Sequence, residues 1–226
     1  MTASVERRLR GVRSASITAL VLGCLTIAGP ALGEAEQAPE AGLGRRVAEE
    51  AGLEAWSRVQ TISFEWKHTP SNTVRSYEWN VPGQTVRVNM GKEIRELDLS
   101  DPAQRDTDVY RAFINDSYWP FFPLHLVWDD GVTLSEVEAD EKVPGASRAL
   151  RVQYGDVGPT PGDAYILFLD DTLKDVGWTY IPGRNPDKTL STTRSAHRTQ
   201  KGVRFATVFE TLDGAPFIEV TAVEIR

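Results

Sequence analysis

The chain has 226 residues, 41% of them hydrophobic and 25% charged, with a formal net charge of −7. That length suits one domain with a sizeable core, and the composition excludes wholesale disorder. The acidic balance, with no Lys/Arg cluster beyond the N-terminus, excludes a nucleic-acid backbone as partner.

Residues 1–33 read as a secretory signal peptide. Arg7, Arg8, Arg10 and Arg13 make a basic start, and Ala15 to Ala28 run without a charge. Pro30-Ala31-Leu32-Gly33 then offers a cleavage site with small residues before Glu34. The apolar run is too short for a membrane span, so none is expected in the mature chain. The segment carries Glu6 against four arginines, so without it the formal charge falls to −10. The expected location is the periplasm or the exterior. The alternative is lipidation at Cys24, because Val21-Leu22-Gly23-Cys24 loosely matches a lipoprotein signal. Cys24 is the sole cysteine, so the mature domain has no disulfide and depends on its core.

Residues 34–42 read as a flexible leader, and 43–226 as one domain. Leu43, Val47, Ala48, Ala51, Ala55, Trp56 and Val59 recur at helical spacing, with Gly52 as the candidate break. Thr61 to His68 alternates cleanly, with Ile62, Phe64 and Trp66 on one face. Arg75–Asn80, Thr85–Asn89 and Glu93–Asp98 follow at spacings too short for parallel crossovers, so the strands form an antiparallel meander. Asp101-Pro102 predicts a helix start. An apolar stripe carries that helix to about Asp116.

Next comes Tyr118-Trp119-Pro120-Phe121-Phe122-Pro123-Leu124-His125-Leu126-Val127-Trp128, with five aromatic residues in eleven positions. Pro120 and Pro123 predict a kinked, interrupted helical insertion. Such a segment either plugs a core or covers a cavity. The remaining strands are expected at Thr133–Glu138, Arg148–Tyr154, Ala164–Leu169, Asp175–Tyr180, Leu190–His197, Val203–Leu212 and Phe217–Ile225. One face is apolar throughout and the other largely wet. The fold class is α+β: a curved antiparallel sheet or half-open β-barrel of about eleven strands, with helices covering its concave face.

The order of helix, meander, helical insertion and meander resembles LolA/LolB-like domains, as does Trp56-Ser57-Arg58-Val59-Gln60 running into Ile62-Ser63-Phe64-Glu65-Trp66. More closely, the chain resembles an uncharacterised group of secreted bacterial proteins with that fold. That likeness rests on Asn115 to Leu124, on Val157-Gly158-Pro159-Thr160-Pro161-Gly162-Asp163 with Tyr165, and on Trp178-Thr179-Tyr180. The resemblance implies a half-open barrel that holds acyl chains, in some relatives those of lipoproteins, under a helical lid. It also implies an arginine that holds the lid, for which Arg58 and Arg75 are the positional candidates.

The function expected is therefore non-enzymatic: a monomeric periplasmic carrier for a lipid or acyl chain, with no cofactor and no metal. Its contacts would come from Phe64, Trp66, Trp79 and Trp178, and from Tyr118, Trp119, Phe121, Phe122, Leu124 and Trp128 as the lid. Alternatives are an enzyme using His125 and Asp129, neighbours four apart on a helix, or an envelope scaffold that docks a protein partner. His68, His125 and His197 match no local zinc-ligand spacing. The pairs Asp129/Asp130 and Asp170/Asp171 read as turns.

Overall fold

A computed structural model describes residues Pro39–Arg226, apart from Asp106, Arg184 and Pro186. The expected signal peptide, Cys24 and the leader as far as residue 38 lie outside the described residues. Helix α1 (Pro39–Glu50) begins inside the expected leader, with a proline at the first helical position, where its missing N–H costs nothing. Gly52, at φ 98°, separates it from the short α2 (Leu53–Trp56). Val47, Ala48, Ala51, Ala55 and Val59 are buried, as their spacing predicts.

Four strands follow: β1 (Thr61–His68), β2 (Thr73–Asn80), β3 (Thr85–Asn89) and β4 (Ile94–Asp98). Ile62, Phe64 and Trp66 face inward with Tyr77, Val86 and Val88. Asp101 caps a 3-10 turn at Pro102–Gln104 by accepting from the Ala103 N–H, so the expected helix start is a single turn. The main helix, α3 (Asp108–Trp128), starts afresh with Thr107 accepting from the Tyr110 N–H. After it come β5 (Val132–Val137), β6 (Arg148–Tyr154), β7 (Ala164–Leu169), β8 (Asp175–Ile181), β9 (Leu190–Thr193), β10 (Arg198–Gln200), β11 (Val203–Phe205), β12 (Val208–Glu210) and β13 (Pro216–Ile225).

Two antiparallel sheets carry the fold. One runs β12-β13-β1-β2-β3-β4, the other β5-β6-β7-β8-β9, and β10-β11 is a separate hairpin. Bridges Thr192–Thr211 and Ser195–Val208 join β9 to β12. The two sheets are thus one wrapped surface of eleven strands that does not close. The expected strand Val203–Leu212 is split at Ala206-Thr207, because the chain there changes partner. β11 pairs with β10, β12 pairs with β13, and the Thr207 hydroxyl turns aside to donate to Ala196 O.

The outer face carries one small apolar patch, and one expected break fails. A bulge between Phe168 and Leu169 shifts the β7–β8 register, and Val176 packs in a small outer cluster with Val143, Ala149 and Phe168, so the second face is not wholly wet. More consequentially, α3 is one uninterrupted helix of 21 residues with Pro120 and Pro123 inside it. Each internal proline costs about 3 kcal/mol or more. Trp119, Phe121, Phe122, Leu124 and Leu126 are buried around the helix, at roughly 1.5–3 kcal/mol each, and offset that cost.

A helix that is apolar all round belongs inside a fold. Phe113 meets Tyr77 and Trp79 of β2, and Phe121 meets Phe64 of β1 and Phe205 of β11. Trp119 meets Trp178 of β8, Phe209 of β12 and Phe217 of β13, while Tyr118 meets Tyr154 of β6 and Tyr165 of β7. One helix can touch this many strands of both sheets only from within their curve.

A Cβ added at Gly52 would sit 2.2 Å from Gly202 O, in a backbone region that L side chains avoid. Gly52→Ala should therefore lower the unfolding free energy by about 2 kcal/mol, measured by chemical denaturation. An unchanged midpoint would mean that the α1–α2 break has slack.

Candidate functional site

A cleft of about 960 Å³ opens between the two sheets, floored by the first half of α3. β1 and β13 supply Trp66, His68, Phe217 and Ile218 to one wall. Tyr165, Trp178, Tyr180 and Leu190 line the other. Ile114, Asn115, Tyr118 and Trp119 project from the floor, with Arg111 beside them. The rim is the loop Pro159 to Asp163, braced against Gly183. A Cβ on Gly183 would meet Gly162 O at 2.2 Å, and Asp163 accepts from the Gly183 N–H at 2.9 Å.

Several polar tips around this cleft are engaged inside the protein, whereas Trp66 Nε1, Thr160 Oγ1 and Trp178 Nε1 are buried without a partner. Tyr118 OH donates to Asp129, and Tyr180 OH to Asp163 at 3.1 Å. Asn115 Nδ2 donates to Asp116, and His68 Nδ1 lies 2.7 Å from Ser71 Oγ. Burial, with the Asp163 charge and hydrogen bond behind it, pushes the Tyr180 hydroxyl up to about 12. At ordinary pH the tyrosines are neutral, and the cleft meets ring surface.

In each wall an arginine lies over an indole, half-buried in one case and fully buried in the other. The Arg75 guanidinium is 4.2 Å from the Trp66 ring centre and grips Asp116 of α3 through two bonds of 2.6 and 2.8 Å. Tyr77 and Asn115 also donate to that carboxylate. Burial works to lower Arg75, but the hydrogen bond and charge of Asp116 raise it. Of the two positional candidates, Arg75 is the one that ties the sheet to the helix; Arg58 makes an exposed pair with Glu54. In the second wall, Arg194 lies 5.1 Å from the centres of both Trp178 and Phe209, and its Nε donates to Asp175 at 2.5 Å. His197 Nε2 is 3.2 Å from the same carboxylate.

The C-terminal end of α3 holds a third network. Asp129 accepts from Tyr118 and Tyr154, and its Oδ1 lies 3.0 Å from His125 Nδ1. A carboxylate at a helix C-terminus opposes the helix dipole, so it needs such donors. Burial pushes Asp129 up, but the His125 charge and these hydrogen bonds hold it below the usual carboxylate range. Asp129 is thus a buried acceptor rather than the plain turn residue expected. His125 and Asp129 do meet, yet neither lines the cleft. Among the described residues, no group of three or more His, Cys, Asp or Glu is placed to hold a metal ion, and no helix is long and apolar enough to cross a membrane.

Of the ten expected ligand contacts, Trp66, Tyr118, Trp119 and Trp178 line the cleft. Phe64, Phe121, Phe122 and Leu124 are fully buried core. Trp79 and Trp128 pack on Trp56, with ring centres 5.3 and 4.3 Å from it, in a separate half-buried cluster. The segment expected as a lid is therefore part of the inner helix of the fold, with Phe121, Phe122, Leu124 and Leu126 enclosed in its core. The sequence reading passed over Ile114, Phe217, Tyr180 and Leu190 as contacts. The strand alternation of Trp178 with Tyr180 was the signal that could have found one of them.

Burial disfavours the Asp175 charge, but Arg194 and His197 outweigh it and hold the carboxyl at about 2, below its model-peptide value of 3.8. A depressed folded value stabilises above the unfolded value and is lost as pH falls through the folded one. The wild type should lose about 2 kcal/mol between roughly pH 4 and pH 2. Asp175→Asn should be less stable at neutral pH and lack that part of the acid loss, measured by denaturant unfolding across this range. An equal acid loss in both proteins would place the titration elsewhere.

No family model matches the chain, and no curated protein matches it. Among solved structures, the chain is similar to a crystal structure of a DUF1329 family protein from Desulfovibrio piger ATCC 29098. The identity is 11% and the TM-score 0.43, over 82% of this chain and 93% of that one.

Proposed function

We propose that this protein is a non-enzymatic binding protein for a hydrophobic ligand, a lipid or an acyl chain, acting as a monomer outside the cytoplasm. The observation that carries this reading is the lining of the cleft. Rings from both sheets and from α3 meet across about 960 Å³, and the Tyr118 and Tyr180 hydroxyls are spent on Asp129 and Asp163. A ligand entering it encounters carbon on three sides. At about 0.8 kcal/mol for each buried CH₂, a chain of several methylenes binds usefully by shape alone.

The open half-barrel and the likeness of the sequence to LolA/LolB-like domains support the same reading. The gate in this reading is the rim, Pro159 to Asp163 with Tyr180 and Phe217, since the second half of α3 is core. His125 and Asp129 act here as a structural lock on the helix end, holding Tyr118 so that its ring faces the ligand.

Solvent extraction of the natively exported protein, followed by mass spectrometry, should recover lipid near one equivalent. Phe217→Ala, at the half-buried rim, should weaken binding of a fluorescent acyl probe about tenfold. Trp79→Ala, in the separate cluster, should leave it unchanged. A clean extract together with no probe binding would remove the carrier reading and leave the cleft to a protein partner.

A further inference from the structure

The cleft's second wall continues inward beyond its lining. β8 and β9 pair Tyr180 with Leu190 and Trp178 with Thr192. Tyr180, Trp178 and Leu190 line the cleft, so the rows run from the rim inward. Thr192 follows Leu190 by two residues on the inner face, and Arg194 comes two residues later. Four polar atoms at this end are buried without any partner: Thr192 Oγ1, Trp178 Nε1, and Arg194 Nη1 and Nη2. All four can donate a hydrogen bond.

Leaving one buried donor unmet is costly, and a guanidinium with both terminal nitrogens unmet is more so. Arg194 is fully enclosed, and Asp175 engages only its Nε. Burial pushes Arg194 downward despite that carboxylate, so its charge is incompletely compensated. Asp175 in turn is held by both Arg194 and His197. The terminal edge of Arg194 has the fork geometry that takes a carboxylate through two parallel bonds.

We propose that Arg194, with Thr192 and Trp178, forms an anionic head-group subsite at the inner end of the cleft, and that the ligand is an acyl chain bearing a free carboxylate. This rests on the hydrophobic-ligand reading above and narrows it. The chain would lie along the aromatic walls, with its head inward and its tail toward the rim. Trp119 packs against both Trp178 and Phe209, with ring centres 4.8 and 5.1 Å away, and so covers the approach to the guanidinium. Its ring must turn aside for the head group to enter.

Palmitate and its neutral counterpart methyl palmitate, titrated against the delipidated mature protein, separate the two readings. The wild type should prefer palmitate at least tenfold. The paired change Asp175→Asn with Arg194→Met, which removes both buried charges together, should bring that ratio near one while methyl palmitate still binds. Thr192→Val removes a hydroxyl that has no partner in the protein. It should leave the melting temperature unchanged and reduce the ratio several-fold, so it tests the subsite even if the paired change fails to fold. Equal binding of acid and ester by the wild type, or an unaltered ratio in Thr192→Val and in the folded paired variant, would overturn the subsite and leave the hydrophobic cleft standing. Failure of both ligands to bind would overturn both.

Discussion

The structure depends on burying one helix inside one wrapped sheet. α3 has no polar face over its second half, so it can be stable only when surrounded. The sheet supplies the surround by curving until β6, β7 and β8 on one side and β1, β2 and β13 on the other reach the same helix. Each half of the fold is unsatisfied alone. The inward rows of the sheet need a filler ten or so ångströms thick, and the helix needs walls.

Enclosure of that kind makes every polar group on the helix a constraint. Asp116 and Asp129 are the two carboxylates that α3 carries into or beside the core, and each is met by several donors. Asp116 takes Arg75, Tyr77 and Asn115, while Asp129 takes Tyr118, Tyr154 and His125. These two anchors lie thirteen positions apart, nearly four turns, and tie the helix to β2 at one end and to β6 at the other. Hydrophobic burial makes the helix stay inside. The anchors fix its rotation and its register, since an unmet buried carboxylate costs several kcal/mol.

The cleft follows from where the filling stops. From Phe121 onward α3 occupies the whole curve; towards its start, near Ile114 and Tyr118, the two walls stand apart and leave aromatic surface facing space. A tryptophan in each wall has a guanidinium packed on its ring, Arg75 on Trp66 and Arg194 on Trp178. Each cation is paired to a buried carboxylate, Arg75 to Asp116 and Arg194 to Asp175.

The sequence by itself determined the strands and their inner faces. Alternation over Thr61–His68, Thr85–Asn89 and Arg148–Tyr154 marks those elements to the residue, because a half-buried strand must alternate, and the continuous apolar run Ala164–Leu169 between turn signals marks another. It also determined the break at Gly52 and the antiparallel half-barrel, through short connections and glycine chemistry. What only the tertiary structure decided is where the aromatic segment goes. Pro120 and Pro123 argue locally for interruption, and burial on all sides, which no local pattern reports, overrides them. The same holds for the site. A run of aromatic residues reads alike whether it lines a cavity or fills one, and only packing separates Tyr118 and Trp119 in the cleft from Phe121, Phe122 and Leu124 in the core. The meetings of Arg75 with Asp116 and of Arg194 with Asp175 join residues 41 and 19 positions apart. They exist because curvature brings distant strands and one helix together, and that curvature is a property of the assembled sheet.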